Sequence, residues 1–218
     1  MLTGSQSQII RNGSPDDIQK LASELGQLSD ETSVLHETLS SGVQIIAKPP
    51  KLHVPPWQMV SAVLGGETLT VATWLTGPHQ IDDTKQGSPE CWDNRLGTPG
   101  AVTNADTGTW LKKVFGLTGG PSPDRNHAKI GVSTPAKYAI FGDLNQAGTL
   151  SEPCTVSQNT RGGMFFAVEN RTLSASLGKM MNVDEALKLT FMSAARFTNA
   201  QTLGKAAEML NSLLLEKK

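Results

Sequence analysis

The sequence predicts an α/β fold, a sandwich built around one mixed β-sheet. Three observations predict it. Residues 43–48 and 67–76 are short, β-branched and apolar, the length and composition of strands. Residues 170–181 place Leu173, Leu177 and Met180 on one side of a helix. Gly (21) and Pro (12) are frequent enough to punctuate many short elements with turns. Short strands alternating with helices imply helices layered on a sheet.

In order, Ser14-Pro15-Asp16-Asp17 starts a first helix. Ser14 suits the cap, Pro15 the first helical position, and the two acids face the helix dipole. Ile18, Leu21, Ala22 and Leu25 form its apolar stripe, and Gly26 ends it. A strand-like stretch follows at 32–39, and a second at 43–48 stops at Pro49-Pro50. Pro55-Pro56 opens a helix over 57–64 that closes at Gly65-Gly66. Residues 67–76 form the clearest strand, with Leu69, Val71, Thr73 and Leu75 on one face. Ala72 and Trp74 make the other face apolar too, which predicts a central strand.

Residues 77–126 are rich in Gly, Pro, Asp, Asn and Thr, and only 110–117 reads as organised. Residues 127–133, 137–142 and 162–168 are three further strands, with a polar loop at 148–160. Asn170 caps the helix through Met181, and 184–196 and 201–216 are further amphipathic helices.

At 218 residues the chain suits one sizeable core. Hydrophobic (38%) and charged (18%) contents fit a globular protein, and no apolar run approaches a membrane span. A net charge of −1 sets up no global field, so an anionic ligand needs a local basic patch. Residues 1–10 lack the basic start and apolar core of a signal peptide. Cys91 and Cys154 are either a disulfide, as in an exported protein, or two free thiols. No CxxC, HExxH or acidic cluster suggests a metal site.

The chemistry concentrates around Asn126-His127-Ala128-Lys129 and Gly142-Asp143-Leu144-Asn145. His36, His53 and His79 have no suggestive neighbours. Residues two apart on a strand face the same side, so His127 and Lys129 project together. Lys137, Asn145 and Arg161 can join them from adjacent segments, and Arg125 lies just before. An imidazole can attack phosphorus or protonate a leaving oxygen. Lysine and asparagine can hold non-bridging phosphate oxygens as charge builds in the transition state.

Residues 43–181 resemble the carboxy-terminal half of the deoxyribonuclease II family, within the phospholipase D superfamily. Asp124-Arg125-Asn126-His127-Ala128-Lys129-Ile130 is similar to the family's acid-histidine-serine-lysine-tryptophan run. Gly142-Asp143-Leu144-Asn145 is similar to its Gly-Asp-Met-Asn run, and Arg161-Gly162-Gly163 to its Arg-Gly-Gly-Gly run. Ala128 and Ile130 depart from the family's serine and tryptophan. Thr134 stands near where many superfamily members carry an Asp, so orientation of His127 falls to Asp143 or Glu169.

The resemblance implies a single phospholipase D-like domain over 1–218, its mixed sheet flanked by helices on both faces and followed by a helical tail at 182–218. It implies a metal-independent endonuclease that needs no cofactor and leaves 3′-phosphates through a phosphohistidine. His127 is then catalytic, with Lys129 and Asn145 on the scissile phosphate, and Arg125, Lys137, Asp143 and Arg161 around the substrate. The partner is DNA, held by its phosphates with little sequence preference. The alternatives are a superfamily phosphodiesterase acting on RNA or lipid, or a nucleic-acid-binding half inactive alone.

That mechanism needs two imidazoles on opposite sides of phosphorus, one neutral and one charged, and one His-x-Lys is present. The second comes either from an amino-terminal half of a longer chain or from the mate in a two-fold dimer. As a fragment of an exported precursor, the protein would be secreted or periplasmic.

Overall fold

A computed structural model describes residues 30–74, 78–117 and 126–183. The helix read at 14–26, the helices read beyond 184, and Arg125 lie outside the described residues. Seven strands build one sheet: β1 (Leu35–Thr38), β2 (Gln44–Lys48), β3 (Thr68–Thr73), β4 (Val102–Asn104), β7 (Lys129–Thr134), β8 (Tyr138–Gly142) and β9 (Gly163–Glu169). Between β4 and β7, β5 (Thr107–Trp110) and β6 (Lys113–Gly116) form a separate hairpin. The α-helices among the described residues are α1 (Pro56–Val63) and α2 (Arg171–Met180).

The sheet order is β1-β2-β9-β8-β7-β3-β4. Only the β3–β4 pair is parallel, so the sheet is mixed and the α/β expectation holds. β3 is buried from Leu69 onward and paired on both sides, but it lies one strand from the edge. The segment read as irregular contributes that edge. β4 is three residues long, too short to show periodicity, and it is recruited by parallel pairing to Leu69, Thr70 and Val71.

Successive side chains of β3 alternate between two apolar clusters. Leu69 and Val71 join Ile46, Trp57, Met59, Val60, Ile140 and Phe165, the cluster that contains α1. Ala72 joins Val132, Leu117 and Met181, with Ile130, Leu177 and Met180 packed against them. Trp57 anchors the first cluster, edge-on to Phe165 at 5.2 Å, with its Nε1 donating to the Leu144 carbonyl at 3.0 Å. Its ring occupies the space a Cβ on Gly131 would need, so β7 and α1 approach closely only with glycine there. α2 starts as read: the Asn170 Oδ1 accepts from the Leu173 amide at 2.9 Å. Cys91 and Cys154 are joined by a disulfide.

The register decides what meets at one end of the sheet. β2, β3, β4 and β8 finish there, and β7 and β9 begin there. Lys48 pairs with Gly163, Gly142 with Phe165, Ile130 with Phe141, Thr73 with Lys129, and Val71 with Asn104.

Candidate active site

Lys129 is the first residue of β7, and its Nζ donates to the His127 carbonyl at 2.8 Å. Half-burial lowers the Lys129 ammonium below its ordinary range, while the charge of Asp143 pulls it back up. Asp143 follows β8 directly, and its Oδ1 accepts from the Met164 amide at 2.8 Å. Desolvation raises the Asp143 carboxyl, opposed by that amide and by Lys129. Lys129 and Asp143 are therefore electrostatic neighbours across the β7–β8 pair.

His127 stands outside the strand expected to carry it. Asn126 captures the local hydrogen bonds: its Oδ1 accepts from the Ala128 amide at 2.9 Å, and its Nδ2 donates to the Leu117 carbonyl at 2.6 Å. A side chain that bonds its own backbone two residues on makes a turn instead of a ladder. β7 accordingly starts two residues after the imidazole. The exposed His127 ring stacks on Trp74, with centroids 4.1 Å apart and planes 30° from parallel. Trp74 directly follows Thr73, the cross-strand partner of Lys129. The stack fixes the imidazole plane, the job expected of Asp143 or Glu169. Glu169 closes β9 opposite Tyr138, at the far end of the sheet. Asp143 instead engages Met164 and Lys129.

Asn145 reaches the same end through Thr73. The Thr73 Oγ1 accepts from the Gln146 amide at 3.0 Å, placing Asn145 one residue from the β3–β7 junction. The Asn145 amide donates to the Gln158 Oε1 at 3.4 Å. Its own Oδ1 is buried without a hydrogen-bond partner among the described residues. Arg161 precedes β9, exposed, and its guanidinium makes no hydrogen bond or ion pair among the described residues. Gly163 allows this crowding: a Cβ there would overlap the side chains of Asp143 and Leu144.

Lys137 does not join them. It precedes β8, at the opposite end of the strand from Asp143, with its Nζ 4.6 Å from the Tyr138 ring centre and 3.8 Å from Glu67. The turn between β7 and β8 carries it away from His127.

Sequence reasoning missed Lys48. The last residue of β2 is fully buried, and its Nζ donates to the carbonyls of Asn159 at 2.7 Å, Arg161 at 3.0 Å and Pro49 at 3.5 Å. It ties the segment that carries Gln158 and Arg161 to the sheet. Burial pushes its pKa down to about 7. A neutral amine keeps two donors, enough for the two short bonds. Across the window from about 7 to the ordinary 10.5, the unfolded chain binds a proton that the folded chain lacks. Stability therefore rises with pH there and is lowest below about 7. Urea unfolding of wild type and Lys48→Met should show the wild type gaining on the variant from pH 7 to 10; a constant difference would contradict this titration. The variant also leaves two buried carbonyls unpaired, so it should be less stable overall by about 1–3 kcal/mol.

Among the described residues, no group of three or more His, Cys, Asp or Glu could hold a metal ion, and no helix is long and apolar enough to cross a membrane. No protein-family model, curated protein or solved structure matches the chain.

Proposed function

We propose that this chain is a metal-independent endonuclease of the deoxyribonuclease II type, hydrolysing DNA phosphodiester bonds. One observation carries the reading. The antiparallel register brings His127 and Lys129 at the start of β7, Asp143 and Asn145 after β8, and Arg161 before β9 to the same end of the sheet. An imidazole, an ammonium, a carboxamide and a guanidinium then share one sheet end, the donor set a phosphodiester demands. In the same reading the fold is phospholipase D-like, with α1 and α2 covering opposite faces of the mixed sheet.

The His127 ring attacks phosphorus, the 5′-oxygen leaves with a proton from a second imidazole, and water hydrolyses the phosphohistidine to a 3′-phosphate. Lys129, the Asn145 carboxamide and Arg161 hold the non-bridging oxygens as charge builds. The second imidazole comes from another His-x-Lys half, in a longer chain or a symmetric mate. The Cys91–Cys154 bond supports an oxidising compartment.

One imidazole must start neutral and the other charged, so nicking should peak at mildly acidic pH and leave 3′-phosphate ends. A rate climbing steadily above pH 8, or nicks that end in 3′-hydroxyls, would overturn the mechanism.

A further inference from the structure

We propose that the β5–β6 hairpin is a nucleic-acid contact that grips the strand beside the cleaved bond; this rests on the nuclease reading. The hairpin springs from the active end of the sheet. β4 finishes there, and the Ala105 amide continues the ladder to the Val71 carbonyl at 2.8 Å. The hairpin closes where the Leu117 amide meets the Asp106 carbonyl at 2.9 Å, and the Leu117 carbonyl takes the Asn126 side chain, next to His127. Thr107 and Thr109 are held by the Asn182 side chain at 3.0 and 2.8 Å, which fixes the root of the finger.

Its tip is built unlike a solvent-facing turn. Leu111 and Lys112 form the two-residue loop with φ of 47° and 65°, a conformation that usually selects Asn-Gly. Non-glycine residues there cost on the order of 1 kcal/mol each, and such strain concentrates at functional segments. Trp110 is 63% exposed, Leu111 81% and Val114 71%. Register puts Trp110 opposite Lys113 on one face of the ribbon. Residues 107–116 contain no acid, and the side chains of Lys112 and Lys113 make no ion pair or hydrogen bond among the described residues.

An aromatic ring, an apical leucine and two unneutralised lysines on a two-stranded ribbon match one kind of partner. A two-stranded ribbon fits a DNA groove, apolar tips wedge against base steps, and lysines neutralise phosphates. A neighbouring phosphodiester site makes the polyanion its substrate.

The test uses the full chain carrying His127→Ala, so that DNA is bound and not cut, with a fluorescent DNA duplex titrated over a range of salt. Adding Lys112→Ala and Lys113→Ala should reduce the slope of log affinity against log salt by up to about 2. Adding Trp110→Ala should weaken binding about tenfold. Wild-type slope and affinity in both variants would overturn the proposal, as would no DNA binding by the parent. So would binding to phosphatidylserine vesicles that the hairpin changes abolish while DNA binding stays intact. Plasmid nicking with His127 present is scored separately. Nicking by a chain whose hairpin variants bind normally sinks the hairpin alone; hairpin-dependent binding by a chain whose nicking is unchanged by His127→Ala sinks the enzyme reading alone.

Discussion

Replacing His127 with alanine is expected to lower plasmid nicking by about 10²- to 10⁴-fold, the range set by loss of a positioned acid, base or nucleophile. The imidazole sits at the sheet end with Lys129, whose ammonium is bonded to its carbonyl, and its plane is fixed by Trp74. Of the other described residues gathered there, Lys129 and Arg161 are charge carriers, and Asp143 is engaged by Met164. The ring is exposed and precedes the strand, so the substitution should cost only its stack on Trp74, about 0.5–1.5 kcal/mol. His79 is the control. It is also exposed, and its carbonyl accepts from the Gly148 amide at 2.7 Å, bringing it near the Asn145 segment. His79→Ala should leave nicking within about twofold, as expected of a surface substitution. A large loss there would move the second imidazole into this chain.

The second large effect concerns stability. Opening the Cys91–Cys154 bond, whose cysteines are 63 residues apart, should cost about 4 kcal/mol through the freedom restored to the unfolded chain. The enclosed segment holds β4, the hairpin, β7 and β8, most of the candidate site. Cys91 is 1% exposed, and its amide donates to the Leu150 carbonyl at 3.0 Å, so the crosslink joins two segments already packed together. Thermal unfolding with and without reductant, or of the Cys91→Ala/Cys154→Ala pair, should show a fall of about 10 °C for a chain of this size. Coincident melting curves would mean that the crosslink does not constrain the unfolded chain.

Elements written in local chemistry were legible in the sequence. Pro55-Pro56 starts α1 and Asn170 caps α2 because prolines and caps act within one turn of themselves. β3 was legible because Leu69, Val71 and Ala72 are apolar on both faces. Features that depend on distant partners were not. Lys48 carries no local signal of its burial, which comes from carbonyls more than a hundred residues away closing on it. β4 carries no periodicity of its own and exists by pairing with β3.

The site divides the same way. His127, Lys129, Asp143 and Asn145 were readable because one turn of an antiparallel pair returns the chain to its starting end. By the same geometry Lys137, inside that turn, lies at the wrong end. Glu169 does too, since β9 runs away from the site. The Trp74 stack escaped because Trp74 read as one apolar face of a strand, and it follows β3 by one residue.

The most direct measurement is incubation of supercoiled plasmid with the chain in excess EDTA at mildly acidic pH, with His127→Ala alongside. Accumulation of nicked circles by the wild type, lost in the variant, is the expected result. Nicking only when a divalent metal is restored, or equal nicking by His127→Ala, would contradict a metal-independent phosphodiesterase at this end of the sheet, whereas no nicking at any pH would favour a nucleic-acid-binding half inactive alone.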